Sequence, residues 1–402
     1  MGYRALTEQE AIEYAKKSAK LFDEHSELKS QEIGDGNLNL VFRITEEKTG
    51  KSIIFKQALP HLRVVGESWP LTIDRSRIET EAMRVQGSIS PGSVPIVYYN
   101  DPDLALSIME DLGYLKIMRY ELMKMRKFPK FPKQLGEFMA RVLFYTCDIA
   151  ADPIAKKQQV AKFLNPELCK ITEDLIFTHP YYDSKENIVN PRLLPYLREH
   201  WWTDGALRLE VTKLKETFMN KCQALLHGDL HTGSVFVDED NLKVFDAEFA
   251  FYGPSGFDVG AMIANLVLNY ASWTGRDDKT ENEIEDYRGY LIGSINELYH
   301  CFQDTFGMLW EKDARAEYSN VKGYQEYYLN GLLQDAAGFA GCKINRRIIS
   351  LAHVADIDCI ADEGRRADAQ RLALSIGRAF IMHRRDVSRI EDLTGMMMDL
   401  TK

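Results

Sequence analysis

The chain has 402 residues, 45% of them hydrophobic, which is room for two or three units of ordinary domain size with real cores. With 60 acidic against 50 basic residues the net charge is −10, and no block of lysine and arginine could track a phosphate backbone, so the composition argues against a nucleic-acid partner. Six scattered cysteines (Cys147, Cys169, Cys222, Cys301, Cys342, Cys359) form no C-x-x-C pair, which speaks against a zinc site or disulfide framework and for a reducing cytoplasm.

Thr7-Glu8-Gln9-Glu10 has the spacing of a capping box and predicts a helix from about Thr7 to His25. No apolar signal core precedes it, since Met1-Gly2-Tyr3-Arg4-Ala5-Leu6 is mixed in character. From Gln31 to Gln57 the texture is β: Leu38, Leu40, Phe42 and Ile44 alternate, Thr49-Gly50 punctuates a turn, and Ile53-Ile54-Phe55 resumes. A helix is expected over Asp74 to Gln86, then strands over Val94 to Tyr99 and Leu104 to Met109, which together make a small α+β lobe. Past Glu110-Asp111-Leu112 helical patterning dominates. The candidates are Lys133 to Ala150, Gly205 to Cys222, Ser255 to Tyr270, Glu281 to Phe306, Gly323 to Phe339, Ile344 to Asp362 and Asp368 to Arg384. The richest apolar stretch, Gly256 to Trp273, is interrupted by Asp258, Asn265 and Asn269, so no membrane span is expected. The one clear β interlude is a predicted hairpin, Val235 to Val237 and Leu242 to Phe245, joined by Asp238-Glu239-Asp240-Asn241.

That hairpin is flanked by the residues that disclose most chemistry. Leu226 to Val235 reads L-H-G-D-L-H-T-G-S-V, and Val244-Phe245-Asp246-Ala247-Glu248 follows. Two carboxylate sets, one in a His/Gly-punctuated loop and one after two β runs, separate two jobs: Asp229 handles a hydroxyl, while Asp246 and Glu248 hold metal. Folding of the hairpin is expected to bring them to one cleft floor. On an extended segment Asp246 and Glu248 alternate and point to one side, as two oxygen ligands for Mg²⁺ require, although a surface acidic pair is the plain alternative. The plain reading of His227 and His231 is hydrogen bonding that stiffens the loop; a rival one makes His227, Asp229 and His231 the metal ligands of a hydrolase. Asp258 either braces this loop through backbone N–H bonds or caps a helix.

In the N-terminal part Gly34-Asp35-Gly36-Asn37-Leu38-Asn39 marks a turn at which glycines let backbone amides approach phosphate oxygens; a simple β-turn explains the same pair. Lys56 lies on the next strand at a distance suited to α and β phosphates, and either Glu79 or Glu81 on the following helix could orient it. Residues Glu110, Asp111 and Leu112 end the lobe, where backbone amide and carbonyl groups could meet an adenine edge.

Together these residues resemble the aminoglycoside phosphotransferase and choline kinase superfamily, whose loop reads H-G-D-x-H-x-x-N and whose metal pair reads D-x-D. Ser234 stands here for the asparagine and Glu248 for the second aspartate. With G-D-G-N-L-N, Lys56 to Pro60, Trp69-Pro70-Leu71, Asp246 to Pro254, and Arg346-Arg347 before Ala352-His353-Val354, these departures resemble the 5-methylthioribose kinases within it. The resemblance implies an α+β, two-lobed protein-kinase-like fold: a small antiparallel-sheet lobe over 1–111 that binds nucleotide, and a larger, mainly helical lobe over 112–402. It implies ATP and Mg²⁺, and transfer of phosphate to the anomeric 1-hydroxyl of methylthioribose in methionine salvage by a cytoplasmic homodimer. By the same resemblance Gly36, Asn39 and Lys56 touch nucleotide phosphates, Glu110, Asp111 and Leu112 hold adenine, and Asp246, Ala247 and Glu248 complete the nucleotide site, Asp246 and Glu248 as metal ligands. Asp229 meets the sugar hydroxyl, Arg346 and Arg347 face the sugar and the moving phosphoryl group, and the Trp69 segment acts as a lid. Other acceptors of the same superfamily (an aminoglycoside, choline, homoserine) and a nucleotide-binding pseudokinase are the alternatives.

Overall fold

The structure is a computed structural model that describes residues 2–17, 19–33, 39–62 and 66–402, with the backbone alone at Leu62 and over 66–69. Gly36, with the rest of the glycine turn at 34–38, lies outside the described residues. The chain divides into two compact units, Met1–Leu115 with Lys243–Ala250, and Lys116–Leu242 with Phe251–Lys402.

The first unit opens with the expected capping box, in which Thr7 N–H donates to Glu10 Oε2 at 2.8 Å and Glu10 N–H to Thr7 Oγ1 at 3.3 Å. The helix it starts, Glu8–Lys17, is shorter than the sequence suggests. Lys20 has a φ of +53°, a left-handed conformation that an α-helix cannot pass through, and Phe22 beyond it is packed into the core. A fully antiparallel five-stranded sheet follows in the order Leu28–Glu32, Asn39–Glu46, Ser52–Ala58, Leu106–Glu110, Val97–Asp101. Its register sets the two faces. Phe42, Phe55 and Ile108 lie opposite one another across three strands and are buried with Ala11 and Ala15 of the first helix. One residue along, the row Val41, Lys56, Ser107 points to the other face. There the Arg75–Ile89 helix is pinned by hydroxyl contacts from Ser76 and Thr80 to Ser107 Oγ, at 3.2 and 2.6 Å. A two-stranded ribbon, His61–Leu62 with Gly66–Pro70, carries the backbone of the Trp69 segment.

The second unit is mainly helical, and its longest helices are Glu281–Asp313 and Tyr324–Ile349. The latter corrects one expectation: residues 324–349 form one continuous helix where a break between Phe339 and Ile344 was predicted. Its small residues serve packing. A Cβ on Gly260 would meet the Ala336 carbonyl at 2.4 Å, and one on Gly341 would meet the Gly377 carbonyl at 2.3 Å, so neighbouring helices Gly256–Ser272 and Glu363–His383 press directly on its backbone. The 3.6-residue pattern fades in such a helix because it is buried on nearly every side. Two helices not anticipated, Pro153–Lys162 and Pro166–Phe177, both begin with proline in the first turn, where its missing N–H costs nothing. Both predicted β runs are strands, and Asp238 closes the turn between them by accepting from the Asp240 and Asn241 amides. No helix among the described residues is long and apolar enough to cross a membrane.

Candidate active site

Within the first unit, Lys56 gathers the acidic residues. Strand alternation turns its side chain to the face under the Arg75–Ile89 helix, and Glu79, one turn after Arg75, reaches down to it at 2.7 Å. Glu81, the other candidate, pairs instead with Arg84 on the same helix. The ammonium of Lys56 also contacts the Asp246 carboxylate. Burial opposes its charge, but Asp246, Glu79 and Glu248 outweigh that and raise its pKa. Glu79 is buried among carboxylates and is pushed up to about 7, burial being the chief cause.

Asp246 and Glu248 do not sit on an extended segment, as had been expected. The strand ends at Val244, Asp246 takes a φ of +72°, and a turn closed by Ala250 N–H to the carbonyl of buried Ala247 carries Glu248. Asp is among the few residues that tolerate this region, and such conformations concentrate at working sites. Glu248 Oε2 accepts from Asn39 Nδ2 at 3.1 Å and lies 3.3 Å from Arg75 Nε, while Arg75 donates to Asn39 Oδ1 at 3.2 Å. The extra methylene of Glu over Asp lengthens the reach to this network. Burial, then the Asp246 charge, raises the Glu248 carboxyl against the pull of Lys56 and Arg75. At the end of the sheet the side chains are spent on ion pairs. Glu110 binds Lys243 at 2.6 Å, and Asp111 binds Arg43 at 2.7 Å and Ser52 at 2.7 Å. Glu110 N–H donates to Ile96, and buried Leu112 accepts at its carbonyl from Leu115.

Within the second unit, the loop 226–235 is braced from below. Asp258, in the first turn of the Gly256–Ser272 helix, accepts from His227 N–H at 2.6 Å and Gly228 N–H at 3.1 Å. Gly228 needs its missing Cβ, since its φ is +84°. The histidines stiffen the loop: His227 Nδ1 accepts from Asp229 N–H at 3.3 Å, and Ser234 Oγ bonds both His231 Nδ1 at 2.9 Å and the Asp229 carbonyl at 3.2 Å. Ser234, standing where the superfamily has asparagine, is thus occupied within its own loop. Among the described residues no group of three or more His, Cys, Asp and Glu side chains could hold a metal ion.

The Asp229 carboxylate is ringed by cations. Lys343 Nζ lies 2.7 Å from Oδ1 and His231 Nε2 3.5 Å from Oδ2. Burial would push its carboxyl up, but Lys343 above all, with Arg347 and Arg346, holds it well below the usual carboxylate range. His231 is depressed by burial and stays neutral at ordinary pH. Arg346 and Arg347 both donate to the carbonyl of Ala352, at 2.9 and 3.0 Å, and Ala352 takes a φ of +59° to present it. Arg119 approaches from residues 118–122, bonding Asn265 Oδ1 at 3.0 Å with Asp356 at 3.5 Å. Lys343, Arg119 and Arg75 are absent from the sequence-based site. The spacing of Lys343 to Arg346 and Arg347, three and four residues, was the available signal, because it places all three on one helix face.

Residues 29–291 match the profile of the phosphotransferase enzyme family. The chain is 44% identical over 394 residues to a methylthioribose kinase of Geobacillus sp. (strain WCH70), covering 98% of this chain and 96% of that protein. It is 42% identical over 400 residues to a methylthioribose kinase of Bacillus pumilus (strain SAFR-032), covering 100% and 98%. For the protein of that name in Yersinia enterocolitica serotype O:8 the identity is 43% over 398 residues, with 97% of each chain covered.

Proposed function

The chain belongs to the phosphotransferase enzyme family, among the methylthioribose kinases, and we propose that it transfers the γ-phosphate of ATP to the anomeric 1-hydroxyl of 5-methylthioribose. In the step, the hydroxyl oxygen bonds to the γ-phosphorus as the bond to the β,γ-bridging oxygen breaks. ADP leaves, and the hydroxyl proton passes to the Asp229 carboxylate. Residues 1–111 act as the nucleotide lobe and 112–402 as the catalytic and acceptor lobe. Gly36, Asn39 and Lys56 serve the phosphates, the 110–112 backbone serves adenine, and Arg346 and Arg347 serve the sugar and the transferring group.

Mg²⁺ fits the residues present. It takes one or two carboxylates plus phosphate oxygens, and Asp246 and Glu248, with Ala247 between them, supply that number. When bound, the ion neutralises charge on the phosphates. Lys56 orients the donor, and Glu79 restrains Lys56. Asp229, already ionised, accepts a hydrogen bond from the acceptor and fixes its oxygen for attack.

The observation that carries the acceptor assignment is the sign of charge about Asp229. Lys343, Arg346 and Arg347 repel an ammonium group and suit a neutral, hydroxyl-rich acceptor. An anomeric hydroxyl is also more acidic than an ordinary alcohol, so a weak base suffices. The test is coupled ATP turnover over a panel of methylthioribose, choline, homoserine and an aminoglycoside. Turnover of the sugar alone is expected; preference for a cationic acceptor would sink the assignment. The reading extends to a homodimer acting in the cytoplasm on a small sugar, with neither nucleic acid nor membrane as partner; light scattering of the purified chain tests the dimer.

A further inference from the structure

Lys343 enters the reading above only as one of three repelling charges, yet it is the group in closest contact with Asp229. It is 5% exposed, its ammonium stands 4.8 Å above the ring of Phe257, and Nζ meets Asp229 Oδ1 at 2.7 Å. A buried ammonium with one carboxylate partner is costly unless that pairing is retained, and an exposed surface lysine would impose no such constraint. Its helix cannot drift, because Gly260 and Gly341 leave no space between its backbone and the neighbouring helices. Asp229 itself keeps a quarter of its side-chain surface open. One oxygen of the carboxylate is therefore held from the protein side, and the other faces His231, which burial keeps neutral.

We propose that Lys343 is a positioning residue: it holds Asp229 Oδ1, presents Oδ2 to the acceptor hydroxyl, and occupies the place an acceptor's ammonium would take. This rests on the reading of Asp229 as the acceptor-side carboxylate. The charged and titratable groups around the pair are His227 and His231 from the loop, Asp258 from the helix beneath, Arg346 and Arg347 from the helix of Lys343, and Arg119 near His231. The two arginines are anchored on the Ala352 carbonyl, which leaves Lys343 as the cation in direct contact with the carboxylate among the described residues.

The decisive experiment has two readouts on the full chain. Carboxyl ¹³C NMR, with Asp229 assigned by its loss in Asp229→Asn, follows ionisation with no substrate present. Steady-state kinetics with methylthioribose and with choline follows function. In the unaltered chain the Asp229 signal should not titrate above about pH 4. In Lys343→Gln it should titrate at weakly acidic pH, and kcat should fall roughly 10–100-fold with the KM for ATP unchanged. Lys343→Arg should restore the ionisation. A residue that merely supports packing would leave the Asp229 titration where it was, and that result overturns the proposal whatever the rates. If Lys343→Gln does not fold, Lys343→Met, which keeps the contact with Phe257, carries the same readouts. A titration that moves while the unaltered chain phosphorylates no acceptor supports the Lys343–Asp229 pairing and instead defeats the kinase reading.

Discussion

The cluster around Lys56 and the cluster around Asp229 use the same residue types in opposite proportion. In the first unit three carboxylates, Glu79, Asp246 and Glu248, face two cations, Lys56 and Arg75. In the second, Lys343, Arg346, Arg347 and Arg119 surround two carboxylates, Asp229 and Asp356. Burial raises Glu79 and Glu248 in the first cluster and Asp356 in the second, whereas cations overcome burial and hold Asp229 down. The overall charge of −10 therefore says little about either site. One cluster has capacity for a further cation, and the other for a neutral or anionic group.

The contrast breaks most sharply at Asp229. Asp229→Ala should lower kcat by roughly 10²–10⁴-fold, since it removes the carboxylate proposed to meet the acceptor; coupled turnover at saturating ATP measures this, and near-normal rates would take Asp229 out of the chemistry. Arg347→Met should cost about 10²-fold in kcat/KM with little change in the binding of Mg·ATP, checked by kinetics beside calorimetry. Gly341→Ala should destabilise the chain by about 1–3 kcal/mol, because the new Cβ must displace the Gly377 carbonyl; thermal unfolding reads it.

A pH series sharpens the difference in sign. Glu79 has its folded value raised from 4.5 to about 7, so the folded state binds the extra proton, and stability should fall as pH rises across that window and level off above it. Asp229 is depressed, so its contribution is complete above its unfolded value of 3.8 and is lost only as pH falls through the folded one. Glu79→Gln should flatten the stability profile between those two limits in the absence of nucleotide, and Asp229→Asn should leave the slope there unchanged. The smallest effect belongs to Glu81→Ala, expected within about 0.5 kcal/mol of the original because its partner Arg84 is an exposed neighbour on the same helix.

Much of this was legible in the chain. The capping box, the alternating strands and the H-G-D loop are local signals, and each appears as a helix start, a sheet face and a braced loop. The choice between Glu79 and Glu81 was not legible, since it depends on Ser76 and Thr80 locking to Ser107, a contact between elements far apart in sequence. The turn at Asp246 was not legible either: alternation predicts an extended segment where the backbone turns left-handed, with a φ of +72°. Lys343 falls in the predicted break between Phe339 and Ile344, and only the continuous helix 324–349, packed by its neighbours, encloses it.

The first unit is assembled from two stretches, Met1–Leu115 and Lys243–Ala250. During synthesis the ribosome completes the earlier stretch, with Lys56, Arg75 and Glu79, well before Asp246 and Glu248 exist. At ordinary elongation rates that interval is on the order of ten seconds. Through it Lys56 has Glu79 alone of its two contacting carboxylates, and Arg75 and Asn39 await Glu248. A nascent chain stalled before residue 243 should accordingly present an incomplete unit to proteases and chaperones, which makes the arrival of an eight-residue segment a checkpoint in the birth of the first unit.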